Sequence, residues 1–410
     1  MKVLIYSLNY SPELTGIGKY NGELAPALVK RGIETHVVTA APYYPEWQCH
    51  KGFKNKWSKK YSVDGVYIYR CPLYIPKKVT TLNRLLHLFS FSFSSLVRLI
   101  MLLRLKPDAL FLVQPTLFCA PAALMYCKIT GAKAIMHIQD FEIDAMFGLG
   151  MRNTGPIKTV IYAMEKWLLK RFDVVSSISY SMIEKAKVKG VKKNKLLFFP
   201  NWAETDFINP DVSGANLRTK WGFEQKDKII LYSGNLGKKQ GLEIVINAAE
   251  ALLYRSEIKF VIIGSGAYRG TLQKMAEQKN LNNVYFKPLQ PWGLMPEILA
   301  AADVHLVVQR SGAADAVLPS KLTNILSAGG HALVTTESDT ELGRIAEKYP
   351  LIYTCVEPEN LEAFISKLIE CLAKNTKLIN SVARKYAVES LNVGSVIDRF
   401  VEDLKIKVFK

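Results

Sequence analysis

"LYSGNLGKKQGLEIVINAA", residues 231–249, decides the fold. A short apolar run breaks at Gly234, passes a polar turn through Asn235, Gly237, Lys238, Lys239 and Gly241, and resumes with helical spacing. Strand, glycine turn, helix is the unit of parallel sheets, because a parallel partner strand requires a crossover connection. The unit recurs in both directions along the chain. Strand-like runs occupy 2–8, 34–39, 66–71, 109–114, 133–138, 174–179 and 195–200, and helical patterns such as 17–31, 117–130 and 156–171 separate most of them. After the polar loop 201–214 the pattern restarts at 228–234, 259–266, 284–289, 304–309 and 331–336. The expectation is an α/β chain of two Rossmann-like domains with parallel sheets facing a central cleft. The boundaries read as 1–200, completed by a C-terminal helix 391–410, and 201–390. A length of 410 residues suits two cores of ordinary size.

The hydrophobic content of 49% marks a globular chain. Six cysteines with no CxxC spacing argue for reduced thiols in the cytoplasm, against a disulfide framework or a zinc site. The apolar start is too short for a signal peptide. The net charge is +18, and residues 47–106 hold twelve Lys or Arg against the single acid Asp64. Such a patch seeks an anionic surface. Within it, residues 85–103 project Leu85, Phe89, Phe93, Leu96, Ile100 and Leu103 onto one stripe, with His87, Ser90, Ser94, Arg98 and Arg104 on the opposite arc. Arg98 sits too deep for a spanning helix, so the segment lies in a membrane surface or is a core helix packed on a sheet. Lys54, Lys56, Lys59, Lys60, Arg84 and Arg98 are the candidate membrane-facing cations. A nucleic-acid-binding protein would also explain the charge, but the chain carries no such motif and the glycine turns would be idle.

Ligands of open parallel sheets bind beyond the carboxyl ends of the strands. After the first strand, Gly16 and Gly18 precede a helix, but the third glycine comes one place late for a dinucleotide fingerprint and no acid ends the second strand, which disfavours a dehydrogenase. Gly234, Gly237 and the two lysines between strand and helix suit a diphosphate, and Gly264 and Gly266 repeat the turn. "LPSKLTNILSAGG" (318–330) opens a helix with Ser320 and Lys321. Helix N-termini carry unpaired N–H groups and a partial positive charge, so this start is either an anion seat or a plain cap with a solvated lysine. The loop before it holds Arg310 and Asp315. Across the expected cleft, "MHIQDFEIDAMFGLG" (136–150) crowds His137, Gln139, Asp140, Glu142 and Asp144 behind the fifth strand. Strand alternation puts His137 and Gln139 on one face and Asp140 on the other. No paired-carboxylate or metal-ligand spacing appears.

The runs "NYSPELTGIGKY", "APYYPEWQ", "HIQDFEIDAMFGLG", "FFPNW", "ILYSGNLGKKQGLE" and "HLVVQRSGAADAVLPSKLTNIL" make the chain resemble the family 4 glycosyltransferases of the GT-B class over nearly its whole length. The resemblance implies metal-independent, retaining transfer from a nucleotide sugar, with the donor on the C-terminal domain and the acceptor on the N-terminal one. It assigns the diphosphate and sugar to Gly16, Gly18, Gly234, Asn235, Gly237, Lys238, Lys239, Arg310, Asp315, Ser320, Lys321 and Leu322, and the ribose and base to Gly264, Gly266, Leu289 and Asn324. Asp140, with His137 and Gln139, is the catalytic candidate. Two departures stand out. The family carries two Glu residues here, where this chain has Ala316 and Asn324, and a His directly before the Asp that follows strand five, where this chain has Gln139. The subgroup implies fucose from GDP-fucose, moved onto a polyprenyl-diphosphate-linked sugar in colanic-acid-like exopolysaccharide assembly. The enzyme would be cytoplasmic and peripheral on the inner face of the membrane. A UDP-sugar donor and a nucleotide-sugar epimerase of the same fold are the alternatives.

Overall fold

The computed structural model describes residues 1–13, 16–58, 61–78, 80–114, 117–144, 155–311, 319–374, 376 and 378–409. Lys59, Lys60, Asp315 and Ala316 lie outside them. The chain divides into two units, one of residues 1–201 with 397–410, the other of residues 202–396.

In the first unit eight strands form one sheet: β1 (Lys2–Ser7), β2 (Glu34–Ala40), β3 (Tyr61–Val63), β4 (Val66–Cys71), β5 (Ala109–Gln114), β6 (Lys133–Ile138), β7 (Val174–Ser177) and β8 (Leu196–Phe198). Their order is β3-β4-β2-β1-β5-β6-β7-β8, and only β3 runs antiparallel to its neighbour. The central strands are apolar throughout because helices cover both faces of a parallel sheet. The helices that matter below are α1 (Gly16–Lys30), α2 (Thr81–Met101), α3 (Ala120–Thr130) and α4 (Gly155–Leu169). The C-terminal residues close this unit, with Phe400 stacked on Phe199 at 3.9 Å and Asp398 paired with Arg31 at 2.6 Å.

The second unit is an all-parallel sheet of β9 (Lys228–Ser233), β10 (Ile258–Ile263), β11 (Val284–Lys287), β12 (Val304–Val307), β13 (Ala332–Thr335) and β14 (Thr354–Val356), in the order β11-β10-β9-β12-β13-β14. Two of its helices carry candidate residues, α5 (Glu243–Ala251) and α6 (Ser320–Ser327). Sequence periodicity missed β3 and β14, which at three residues each are too short to show a period.

Helix α2 is built inside out. Its N-cap Thr80 accepts from the Asn83 amide. The face on the sheet is the polar arc of the helical projection: His87, Ser94 and Ser95 are buried there with Leu88, Phe91 and Leu99. Burial costs these polar groups little because each is paired. Ser95 Oγ meets Tyr6 Oη at 2.5 Å, Ser94 Oγ donates to Pro72 O at 2.6 Å, and His87 bridges Tyr74 O at 2.6 Å and Tyr43 Oη at 2.8 Å. Phe89 and Phe93, from the apolar stripe, point outward at 61% and 65% exposure. Arg98, expected at the membrane face, turns inward instead, donating from Nη2 to Ser58 O at 2.7 Å and lying over the Tyr69 ring. The helix is long and apolar enough to cross a membrane by length and composition, but its inner face is fastened to the sheet.

The two faces give opposite expectations on truncation. Phe91→Ala should cost roughly 3–5 kcal/mol of unfolding free energy by opening a core cavity. Phe93→Ala should stay within about 0.5 kcal/mol, as exposed substitutions do. Chemical denaturation of both variants checks the orientation of the helix, and equal losses would refute it.

Candidate functional site

In the second unit the candidate residues converge where β9 ends and α6 begins. The Lys321 ammonium is folded back against Tyr232, 3.1 Å from its hydroxyl and 4.3 Å from its ring centroid. Tyr232 Oη in turn donates to Asn235 O at 2.8 Å, which fixes the turn after β9. A Cβ added to Gly234 would lie 3.9 Å from Lys321 Nζ, so turn and lysine are neighbours. Among the described residues no carboxylate pairs with Lys321. Burial pushes its pKa down to about 8, because a desolvated ammonium prefers to lose its proton.

Pro319, not Ser320, is the N-cap of α6, and no side chain caps the helix. The plain-cap reading of Ser320 therefore does not hold. The exposed Ser320 hydroxyl and the amides of Ser320 and Lys321 have no partner among the described residues, while the Ser320 carbonyl accepts from Thr323 Oγ1 at 2.8 Å. Lys238, Lys239 and Asn235 are exposed on the adjoining turn, where Gln240 Oε1 accepts from the Gly237 amide at 3.1 Å. Asn324, one turn into α6, is half-buried with its carboxamide unpartnered among the described residues. Leu289 stands exposed after β11.

Three assignments change. Leu322 is fully buried in the core and its amide bonds Pro319 O at 2.8 Å, so it offers a ligand nothing. Arg310 is held by its own unit: Nη2 donates to Glu243 Oε1 at 2.6 Å, and Tyr268 Oη reaches the same oxygen at 2.7 Å. Its amide also bonds Lys239 O at 3.2 Å, so Arg310 braces the lysine turn from behind. Gly264 and Gly266 are glycines for packing. A Cβ on either would meet Gly234 O or Leu236 O at 1.9 and 2.3 Å, and this close approach locks the two turns together.

In the first unit the polar cluster after β6 separates into a buried and an exposed half. His137 is buried, flanked by Phe111 at 5.3 Å and Phe199 at 5.1 Å. Its Nδ1 meets Ser176 Oγ at 3.0 Å, and its Nε2 accepts from Gln139 Nε2 at 2.9 Å, so the ring is neutral. Burial pushes its pKa down to about 3. Gln139 exchanges two 3.0 Å bonds with Asn201, which completes its hydrogen bonding. Both residues are thus structural, a correction to their catalytic candidacy. They tie the end of β6 to Asn201, where the chain leaves the unit. Of the cluster, Asp140 alone is exposed, in the bend just past the end of β6. Partial desolvation raises its carboxyl, opposed by the Phe141 amide, Arg84 and Lys185. Glu142, nearly buried, is pushed up to about 7 by desolvation, opposed by the Leu117 amide.

Glu13 went unnoticed in the sequence. This buried carboxylate accepts from the amides of Tyr43 at 2.9 Å and Tyr44 at 3.0 Å and from Asn9 Nδ2 at 2.8 Å. It fastens the turn that leads to Gly16 and Gly18. A Cβ on Gly18 would lie 2.6 Å from Glu13 Cβ, whereas Gly16, at φ +54°, faces open space. A lone acid beside a proline, just before the two glycines, was the available signal.

Known proteins share this architecture. Residues 15–202 match the glycosyl transferase 4-like domain, and residues 214–386 match the glycosyl transferases group 1 family. WcaI of Escherichia coli K12, named for a glycosyl transferase of colanic acid biosynthesis, is 46% identical over 411 residues, 99% of this chain and 100% of WcaI. Among solved structures, sucrose-phosphate synthase of Thermosynechococcus elongatus superposes with a TM-score of 0.75 at 12% identity, covering 100% of this chain and 99% of its own. Anabaena HepE, solved with UDP, gives 0.72 at 14% identity, covering 99% and 100%. These last two likenesses establish the GT-B fold.

Replacing His137 with Ala should lower unfolding free energy by about 2–4 kcal/mol, from lost packing and an orphaned Ser176–Gln139 pair. Thermal denaturation checks this, and an unchanged melting temperature would return His137 to the list of chemical groups.

Proposed function

Because this chain belongs to the group 1 glycosyltransferases of GT-B fold, we propose that it transfers fucose from GDP-fucose to a polyprenyl-diphosphate-linked sugar, in the assembly of a colanic-acid-like exopolysaccharide. The observation that carries the reading is Lys321, a half-buried cation with no counter-charge among the described residues, at a helix start without a side-chain cap beside a glycine turn. A departing nucleoside diphosphate supplies the missing negative charge. Transfer breaks the bond between the anomeric carbon and the diphosphate oxygen and forms one to an acceptor oxygen. Charge therefore builds on the diphosphate in the transition state, where a preformed positive seat is most effective. Lys321, the Ser320 and Lys321 amides, Lys238 and Lys239 form that seat without a metal ion. Asn324 is placed against the ribose and Leu289 beside the base. Asp140 takes the attacking hydroxyl.

The name of WcaI supports the pathway. HepE's complex with UDP keeps a UDP-sugar as the second reading of the donor, which thermal-shift screening of GDP-fucose against UDP-sugars separates. The lipid-linked acceptor rests on the basic segment 47–106, with Lys54, Lys56 and Arg84 exposed, and on the outward apolar stripe of α2. It places the enzyme on the cytoplasmic face of the membrane.

Lys321→Ala should weaken GDP binding by about 1.5–3 kcal/mol, the worth of a charge-assisted contact. Wild-type affinity should be flat below pH 8, where Lys321 is charged, and fall above it by about tenfold per pH unit. The variant should lose that slope. Calorimetric titration across pH reads both, and a wild-type-like variant would remove the donor from this seat. Asp140→Asn should bind GDP normally yet transfer nothing, and retained turnover would clear Asp140 of any role.

A further inference from the structure

One face of the first sheet carries four helices among the described residues, the last of which, Tyr180–Val188, follows α2, α3 and α4. The connections β4 to β5, β5 to β6 and β6 to β7 all step the same way across the strand order. Right-handed crossovers therefore set α2, α3 and α4 side by side. Each one turns apolar side chains away from the sheet. On α2 these are Leu82, Leu86, Phe89, Phe93 and Ile100. Along α3 and the turn before it they are Phe118, Met125 and Ile129, the last 61% exposed. On α4 they are Val160, Met164 and Trp167, at 66%, 49% and 52% exposure and at helical spacing. The opposite sides of α3 and α4 are ordinary core, with Tyr126, Leu168 and Leu169 buried.

Charge is equally one-sided. The three helices contain a single carboxylate, Glu165, which is buried and paired with Lys189. Exposed cations border the stripes: Arg84, Lys128, Lys158, Lys166 and Lys170. The Arg171 guanidinium lies 3.5 Å from the Trp167 ring centroid. Soluble proteins seldom leave so wide an apolar surface bare. Neighbouring helix axes stand about 8–10 Å apart, so three stripes make a face about 20 Å across.

We propose that α3 and α4 join α2 in one docking face for an anionic lipid bilayer, with Trp167 as its interfacial anchor. The inference rests on the membrane reading above and extends it to two helices outside the basic segment. Apolar side chains enter the boundary between headgroups and acyl chains, the bordering cations meet lipid phosphates, and tryptophan favours that depth. Among the described residues these three helices expose no acid, and Glu184 on the helix beyond them is paired with Lys187, which favours this occupant over a basic or mixed-charge protein partner.

The full chain is tested by co-sedimentation with vesicles of phosphatidylethanolamine and phosphatidylglycerol, and with phosphatidylcholine alone, at low and high salt. Two double variants are compared, Phe89→Glu with Phe93→Glu on α2, and Met164→Glu with Trp167→Glu on α4. All four positions are exposed, and unchanged melting temperatures confirm intact folds. Each pair should weaken binding to the anionic vesicles tenfold or more, about 1.4 kcal/mol. Binding lost by the α2 pair but kept by the α4 pair would overturn the three-helix face and leave the α2 reading standing. Binding kept by both would defeat both. A dimer in the ultracentrifuge that the α4 pair disperses would assign the face to a second copy and overturn the proposal.

Discussion

The second unit is organised around a half-buried ammonium that no carboxylate among the described residues neutralises. Taking a charge out of water is expensive unless a partner meets it, and among the described residues Lys321 meets the hydroxyl and ring of Tyr232. The cost is visible in the depressed pKa of about 8. Neighbouring features serve the same position. Gly264 and Gly266 let the β10 turn close onto the β9 turn. Arg310, bound to Glu243, holds the lysine turn in place. A site kept positive and partly unsatisfied is suited to a ligand that brings the charge with it, and it needs little reorganisation as that charge grows.

The first unit meets its constraint at α2, where hydroxyls and an imidazole face the sheet and phenylalanines face out. The hydroxyls are tolerated inside because Tyr6 and Pro72 complete their hydrogen bonds, and the imidazole because Tyr43 and Tyr74 complete its own.

Most of the architecture was legible in the chain. Long alternations of apolar runs with glycine turns located twelve of the fourteen strands to within a few residues, since buried parallel strands are apolar end to end. The resemblance to family 4 brought Lys321, Ser320 and Asn324 forward, and the structure gathers them at one strand end. What failed depended on which way a side chain turns. His137 and Gln139 look like chemistry in sequence, but three-dimensional neighbours, Ser176 and Asn201, claim their hydrogen bonds. Leu322 and Arg310 were misplaced for the same reason, one entering the core and the other meeting a glutamate 67 positions away. Of the stripe in the helical projection, Phe89, Phe93 and Ile100 are exposed, Leu85 and Leu96 are half-buried, and Leu103 lies beyond the end of α2. The projection could not say that the polar arc would be the buried one, because that depends on partners contributed by β1, β4 and the loops beside them.

The most direct test of the central claim is a crystal structure of the protein with GDP. The account requires a β-phosphate oxygen within about 3 Å of Lys321 Nζ, with the Ser320 and Lys321 amides directed at the same group. A diphosphate bound elsewhere, with Lys321 still folded on Tyr232, would contradict it.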